Sequence, residues 1–233
     1  MDNFYIILKY FIMYGRVCKI YTSIFFDDFK HMKTEFENGL KDYSRHYEIR
    51  YDLFRSHNTA NLGEILEYLN KNSIDYIFTF RSSEIKEINK VYTAAMGNLP
   101  PIVDIDIKSF QFRRDFFKGT NLMLSYHGTN NDDIHYILED ISKFKPDIYK
   151  IALTYTDKGK FLDDLDYLYH YRIEKNVKLA FVPMGDNNGF LRLVSVGMVS
   201  DYAYASYKDK TAPGQIETQE FNSLMNRFKE KYE

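Results

Sequence analysis

Residues 147–153 have the sequence DIYKIAL, in which Lys150 stands at the centre of a run suited to a buried β-strand. Aliphatic and aromatic side chains favour a strand, and Pro146 marks the turn that opens it. An ammonium group buried without a partner costs free energy, and a neutral buried amine is a nucleophile toward carbonyl groups. The run therefore predicts either a Schiff-base lysine or an edge-strand lysine whose side chain reaches water.

Strand and helix patterns alternate along the chain on both sides of this run. They predict one α/β domain, a single-domain (β/α)8 TIM barrel over residues 1–233, with residues 1–16 as an N-terminal strand or hairpin. A doubly wound open sheet is the main alternative, but eight strands and the lack of a glycine-rich turn after the first strand count against it. The predicted strands are 17–25, 46–53, 75–80, 102–107, 121–126, the run around Lys150, 177–183 and 197–205, and the predicted helices are 27–40, 59–70, 83–96, a stretch up to 118, 130 or 131–144, 158–174, a short helix after Gly189, and 217–231.

Composition excludes several classes of protein. Apolar residues make up 45% of the chain, with 21 Tyr and 19 Phe, which is enough for a large core. A net charge of -2 and the lack of a basic block argue against a nucleic-acid-binding protein. Cys18 is the only cysteine, which excludes an intrachain disulfide and suits the cytoplasm. The apolar residues 4–14 are too few to span a bilayer, so we expect a cytoplasmic protein without a membrane segment.

In a barrel, functional side chains belong at the carboxyl ends of the strands. The second predicted strand ends with Glu48, Arg50 and Asp52, which share one face because side chains alternate along a strand. If that face is the barrel interior, the three charges either form a closed ion-pair network or bind a polyhydroxylated ligand.

The third and fourth strands add further charges. Arg81 stands at the end of the third strand, and Asp104 and Asp106 share a face of the fourth. A metal site is conceivable there, but no matching histidine cluster exists, so a hydrogen-bonded pair near Arg or Lys is the favoured interpretation.

His127 follows directly on the apolar part of the fifth strand, where a general acid or base would stand. A single strand-end histidine is more often structural. Because it lies one strand before Lys150, the barrel would bring both side chains to the same opening, which favours a functional histidine.

The last two units contribute loops suited to ligand binding. Glycines around residues 185 and 189 permit close approach of the backbone, and Arg192 offers a forked donor for a carboxylate. The turn at residues 211–215, TAPGQ, places Thr211 and Gln215 beside the opening as a lid or clamp.

Together these motifs resemble the type I 3-dehydroquinate dehydratases. Each motif is weak by itself, but seven of them occur in the order and at about the spacing of that family, from the first strand to the last helix. The matching pieces are Glu48-Ile-Arg50-Tyr-Asp52, Thr79-Phe-Arg81, Asp104-Ile-Asp106, Ser125-Tyr-His127, Asp147-Ile-Tyr-Lys150, Met184-Gly185 with Gly189-Phe-Leu-Arg192, and Ala212-Pro-Gly-Gln215.

The resemblance implies a dehydration without metal or cofactor, in which Lys150 forms an imine with the ketone of 3-dehydroquinate. It implies that His127 removes the neighbouring proton and assists departure of the hydroxyl group as water. The resemblance assigns substrate binding to Glu48, Arg50, Arg81, Arg192, Thr211 (where the family usually has Ser) and Gln215.

Two positions depart from the family pattern. The family follows the third-strand arginine with Glu-Gly-Gly, whose glutamate orients the histidine, whereas this chain has Ser82-Ser83-Glu84. We assign that catalytic role to Glu84, with Glu87 as the alternative. Leu191 stands where the family usually has Ser, which removes one loop hydrogen bond.

Two other functions remain open from the residues. A different Schiff-base barrel, of the class I aldolase or transaldolase type, would also need Lys150, although no phosphate cradle follows the last two strands. A non-catalytic ligand-binding barrel would need neither Lys150 nor His127. The expected partner is 3-dehydroquinate, without nucleic acid or membrane, and the resemblance implies a homodimer.

Overall fold

The computed structural model describes residues 18–56 and 58–232, with side chains described up to residue 227. The N-terminal strand or hairpin expected at residues 1–16 lies outside the described residues. Across the described helices, no segment is both long and apolar enough to cross a membrane.

In the described part of the chain, eight parallel strands form a nearly closed barrel. Each strand from β1 to β7 is hydrogen-bonded to its neighbours in chain order, and β1 is also paired to β8. Between β7 and β8 the Asp201 N–H donates to the Leu179 carbonyl oxygen at 2.7 Å, which joins the two ends of the sheet. The predicted TIM barrel is therefore confirmed. The strands are β1 Lys19–Ile24, β2 His46–Arg50, β3 Asp75–Thr79, β4 Ile102–Asp106, β5 Asn121–Thr129, β6 Ile148–Thr154, β7 Lys178–Met184 and β8 Tyr202–Ser206.

Strand β6 shows why the lysine faces the interior. Tyr149, Ile151 and Leu153 pack in the outer core between strands and helices, whereas Ile148 and Ala152 pack in the inner core of the barrel. Alternation along the strand therefore turns Lys150 inward, and β6 is flanked on both sides by β5 and β7. The edge-strand alternative for Lys150 is wrong, because the residue is only 5% exposed.

In the described part of the chain seven helices surround the barrel, and side-chain caps begin several of them. Asn58 caps the second helix by accepting from the backbone N–H groups of residues 60 and 61. Asp133 caps the fourth helix, which begins at Ile134 rather than at residue 130 or 131. The helices are α1 Phe29–Glu35, which continues through a π-helical turn Phe36–Leu40 and a short turn Lys41–Tyr43, α2 Thr59–Lys71, α3 Ile85–Met96, α4 Ile134–Ser142, α5 Lys158–Lys175, α6 Gly189–Met198 and α7 Thr218–Tyr232.

Several predicted elements differ from the structure. Strand β2 ends at Arg50, and residues 51–53, predicted as the end of this strand, form a 3-10 turn. Strand β8 begins at Tyr202 rather than at residue 197, because α6 extends to Met198 with its apolar residues packed against the cores. The helix expected up to residue 118 is replaced by two 3-10 turns, Ile107–Ser109 and Arg114–Phe117. Ring contacts among Phe110, Phe112, Phe116 and Phe117 fill this connection, and the outer core takes up these rings without a regular helix.

Asp201 ties together the two strands that close the barrel, and its removal is expected to destabilise the fold. Its carboxylate forms an ion pair with Arg172 of α5 and accepts the Leu179 N–H at 2.9 Å. We expect Asp201→Ala to lower the free energy of unfolding by about 3 kcal/mol, because a largely buried guanidinium and an amide lose their partner. Urea denaturation measures this change.

Asp166 provides the control for that experiment. It forms an ion pair on the same helix with His170, and both side chains are mostly exposed. Asp166→Ala should change the free energy of unfolding by less than about 0.5 kcal/mol. Equal losses from the two substitutions would show that Asp201 has no special part in closing the barrel.

Candidate active site

A cavity of about 400 Å³ opens at the carboxyl ends of the strands. Among the residues predicted for the site, Glu84 is the one that does not line it. The predicted residues that do line it are Glu48, Arg50, Arg81, His127, Lys150, Arg192, Thr211 and Gln215.

Lys150 lies at the base of this cavity with two carboxylates beside it. Its Nζ atom is 2.6 Å from Asp104 Oδ2 and 3.7 Å from Glu48 Oε1. The same nitrogen lies 3.8 Å from the centre of the Tyr204 ring, close enough for a cation–π contact. The predicted burial of Lys150 is therefore confirmed, but its ammonium group is paired rather than isolated.

Asp104 joins Lys150 to a second cation. Arg81 Nη2 is 2.8 Å from Asp104 Oδ1, and the Arg81 guanidinium also donates to the Asp104 carbonyl oxygen and to Ser125 Oγ, both at 3.0 Å. Burial by itself would raise the pKa of Asp104, but the charges of Arg81 and Lys150 outweigh it and hold that pKa far below its usual range. Asp104 is thus an anion at neutral pH.

The charged residues at the end of β2 contact other residues of the barrel, and two of them also line the cavity. Glu48 accepts hydrogen bonds from the hydroxyl groups of Ser23 at 2.6 Å and Thr79 at 3.1 Å, which fix its carboxylate at the cavity wall. Arg50 forms a two-pronged contact with Asp52, at 3.1 and 2.6 Å. The expected network exists, and it also presents Glu48 and Arg50 to the cavity.

His127 stands at the cavity wall with one ring nitrogen occupied. Its Nδ1 atom is 2.7 Å from Asp106 Oδ2. Burial lowers the pKa of His127, the hydrogen bond with Asp106 opposes that change, and the charges of Arg81 and Lys150 add to the lowering. His127 is therefore a neutral imidazole at pH 7, as a general base must be.

The two aspartates of β4 bind different bases. Asp104 pairs with Arg81 and Lys150, and Asp106 bonds to His127, so the predicted placement of two carboxylates near basic groups describes them correctly. Within residues 18–56 and 58–232, no group of three His, Cys, Asp or Glu side chains is arranged to hold a metal ion.

Neither Glu84 nor Glu87 lines the cavity. Glu84 is exposed just before α3, and its backbone N–H donates to Ser82 Oγ at 3.0 Å. The Ser82 hydroxyl donates in turn to Glu87 Oε2 at 2.6 Å. The carboxylate that contacts the His127 ring belongs to Asp106, whereas the family resemblance led us to expect Glu84 in that place. A spacing of 21 residues along the chain did not predict this contact.

Arg192 is a buried cation in the cavity wall. It is only 4% exposed, its guanidinium donates to the carbonyl oxygens of Pro213 at 2.9 Å and Tyr204 at 3.5 Å, and its Nε atom is buried without a hydrogen bond. Among the described residues no carboxylate forms an ion pair with it. Burial lowers its pKa to about 10, against the effect of Glu48, so it stays a cation at pH 7.

The loop after β8 lines the cavity and packs closely against the loop after β7. Gly214 has a φ of 71°, and a Cβ atom at that position would lie 2.2 Å from the Gly185 carbonyl oxygen of the loop after β7. Gln215 Oε1 accepts from the Thr211 N–H at 2.7 Å, and Gln215 Nε2 donates to Ser23 Oγ at 3.0 Å. The loop is therefore seated on the barrel by its glycine and its glutamine.

Comparison with known proteins places this site in a family. Residues 20–231 match the family model described as type I 3-dehydroquinase. A 3-dehydroquinate dehydratase of Thermoplasma volcanium is 33% identical over 214 residues, which cover 92% of this chain and 91% of the relative. A 3-dehydroquinate dehydratase of Thermoplasma acidophilum is 29% identical and covers 84% of each chain.

Solved structures support the same fold. The 3-dehydroquinate dehydratase of Geobacillus kaustophilus has a TM-score of 0.79 at 18% identity and covers 93% of each chain. The type I enzyme of Clostridium difficile, solved with covalently modified comenic acid, has a TM-score of 0.77 at 21% identity and covers 92% of this chain and 93% of its own. At these identities the likeness concerns the barrel alone.

The environment of His127 predicts an acidic titration. We expect its ring to gain a proton at a pH below the ordinary value of 6.5, because burial and two nearby cations disfavour the imidazolium ion. Side-chain NMR spectra recorded across pH, with the His127 signal assigned by its loss in His127→Gln, measure the midpoint. A midpoint at or above 6.5 would contradict this account of the site.

Proposed function

This chain belongs to the type I 3-dehydroquinase family, and we propose that its cavity catalyses dehydration of 3-dehydroquinate to 3-dehydroshikimate through an imine on Lys150. That reaction serves the shikimate pathway of aromatic amino acid biosynthesis. One observation carries the proposal: a buried amine, a neutral imidazole and an unpaired guanidinium line the same cavity. These three groups suit a carbonyl, an acidic C–H bond and a carboxylate of one small substrate.

Arg192 is proposed to bind the substrate carboxylate. A buried guanidinium without a carboxylate partner among the described residues gains most from an anionic ligand, because the ligand supplies the missing counter-charge. Thr211 and Gln215 stand beside it in the cavity lining and offer hydroxyl and amide groups to the same end of the substrate. This fixes which way the ring enters.

Lys150 is proposed to attack the substrate ketone. Its ammonium group first gives its extra proton to His127, and the amine then adds to the carbonyl carbon. The protonated His127 returns that proton to the hydroxyl group of the adduct, which leaves as water and gives an iminium ion. Asp104 and Glu48 hold the nitrogen before the reaction and offer negative charge beside the cationic iminium group that replaces it. The Tyr204 ring lies under the same nitrogen and supports a positive charge there.

His127 is proposed to move the protons. Its neutral ring removes a proton from the carbon next to the iminium group, and the released electron pair forms an enamine. The protonated ring then returns that proton to the departing hydroxyl group, which leaves as water as the carbon–carbon double bond forms. Hydrolysis of the conjugated iminium ion frees Lys150 and releases the enone.

Glu48, Arg50 and Arg81 are proposed to bind the substrate hydroxyl groups and their surroundings. Each lines the cavity while its remaining polar atoms are engaged by the barrel, so each is rigid before substrate arrives. Fixed donors and acceptors lose little entropy on binding.

We base the proposed quaternary structure, domain limits and cellular location on the family resemblance. The family resemblance supports a homodimer of a single-domain barrel in the cytoplasm, with no nucleic acid among its partners. Exposed apolar side chains on the described helices, including Tyr136, Leu162 and Ile173, are consistent with a protein contact. The match to the family favours the dehydratase function over the aldolase and ligand-binding alternatives.

Trapping with borohydride tests the covalent step. We expect incubation with 3-dehydroquinate and borohydride to add one reduced ligand to Lys150. Lys150→Ala should form no adduct, and its kcat should be lower by at least about 10³-fold, because the nucleophile is gone. Intact mass, peptide mass and the absorbance of the enone product give the readouts.

Lys143 is the matched control for this experiment. It is an exposed helix-end lysine paired with Asp140, and Lys143→Ala should retain the adduct and the activity of the wild-type protein. Wild-type protein that forms neither adduct nor enone would refute the dehydratase function.

Closure of the β8 loop gives a further prediction. Gly214→Ala is expected to raise KM for 3-dehydroquinate by about tenfold or more, because the new methyl group cannot coexist with the Gly185 carbonyl oxygen and displaces the loop from Arg192. Steady-state kinetics measure it.

Gly39 separates loop displacement from backbone strain. It also has a positive φ, of 115°, but a Cβ atom there meets nothing within 4 Å. Gly39→Ala should therefore lower stability without changing KM. A wild-type KM in Gly214→Ala would show that the loop position does not control binding.

A further inference from the structure

His127 is held at two points by residues that follow strand β4. Asp106 Oδ2 lies 2.7 Å from the ring nitrogen Nδ1, and Lys108 Nζ donates to the His127 carbonyl oxygen at 2.7 Å. The two holding residues are also joined to each other, because the Lys108 N–H donates to Asp106 Oδ1 at 2.9 Å. We call Asp106 and Lys108 the β4 clamp.

The turn after β4 accounts for the direction of the Asp106 carboxylate. Asp106 caps the 3-10 turn Ile107–Ser109, with a side-chain oxygen bound to the second residue of that turn. One oxygen is therefore fixed by local backbone, and the other is left to meet His127. The Lys108 side chain lies 4.5 Å from the centre of the Tyr126 ring, next in the chain to His127.

An ionised carboxylate only accepts hydrogen bonds, so Asp106 requires that Nδ1 carry the hydrogen in the neutral ring. Burial by itself would raise the pKa of Asp106, but its contact with His127 and the charge of Arg81 lower it, so the carboxylate is ionised at neutral pH. The lone pair then resides on Nε2, the nitrogen that Asp106 does not occupy.

We propose that Asp106 is the positioning residue that fixes His127 as the Nε2-basic tautomer, and that Lys108 fixes the backbone carrying the ring. This inference rests on the proposed dehydratase function and deepens it by naming which nitrogen of His127 moves the proton. Glu84 is exposed, and Asp106 is the carboxylate that bonds to the ring within the described residues. The clamp therefore supplies the orientation that the loop after β3 does not.

The charges around His127 set the sign of the pH effect. Asp106 and Asp104 favour the imidazolium ion, whereas Arg81, Lys150 and burial disfavour it. Replacement of Asp106 by asparagine removes one stabilising charge and leaves the disfavouring ones. The pKa of His127 must then fall, and the acid limb of kcat/KM must move to lower pH.

Asp106→Asn is the central experiment. We expect kcat to fall by about 100-fold, because an amide side chain also permits the tautomer whose Nε2 bears the hydrogen, while KM changes less than about threefold. The acid limb should move to lower pH, and the Lys150 adduct should still form on long trapping. Asp106→Glu, which keeps a carboxylate, should have a kcat at least about tenfold higher than that of Asp106→Asn.

Two further substitutions complete the set. Asp115→Asn alters an exposed pair with Arg113 in the same connection and should leave kcat and the pH profile unchanged. Lys108→Ala removes an exposed side chain and is expected to lower kcat by at least threefold at an unchanged KM. If Asp106→Asn does not fold, as judged by circular dichroism, Lys108→Ala and Asp106→Glu decide the question.

Each outcome bears on one proposal or the other. Wild-type kcat and pH profile in folded Asp106→Asn, or wild-type kcat in Lys108→Ala, would overturn the clamp. Absence of enone with the wild-type protein would overturn the dehydratase function, and the NMR titration of His127 would then judge the clamp alone. A midpoint that does not fall in Asp106→Asn would reject it.

Discussion

The ion pair between Lys150 and Asp104 is the contact on which the rest of the site depends. Both residues are buried, with their charged atoms 2.6 Å apart, and neither charge is tolerable in a barrel core without the other. Asp104 also binds Arg81, so one carboxylate connects strands β3, β4 and β6 across the barrel interior. These contacts fix the position of the Lys150 amine, which we propose to be the nucleophile.

Among the described residues, Arg192 differs from the other cations of the cavity in having no carboxylate partner. Arg50 has Asp52, and Arg81 and Lys150 share Asp104, with Glu48 near the lysine. Arg192 has only carbonyl oxygens around its guanidinium in the described part of the chain. The same arginine donates to the Pro213 carbonyl oxygen in the loop that carries Gly214, so we expect an anion bound to Arg192 to affect the position of this loop.

Sequence reasoning worked where a local pattern carried the information and was wrong where packing decided. The alternation of strand and helix patterns was enough to predict eight βα units, whereas the inward direction of Lys150 was one of two alternatives until the barrel was known. The stretch before residue 118 forms two 3-10 turns instead of the predicted helix, and four phenylalanine rings pack in it. Residues 197–201 were assigned to β8 because an apolar helix end and a strand have similar composition.

By itself the sequence determined the barrel and the set of polar residues at its opening, because side-chain periodicity and strand ends are local properties. Only the tertiary structure decided which acid meets which base. Asp106 lies 21 positions from His127 and Asp104 lies 46 from Lys150, and these pairings arise from the register of neighbouring strands and the course of a short turn. Such a contact forms only if two side chains are placed to within tenths of an ångström, and spacing along the chain does not specify that placement.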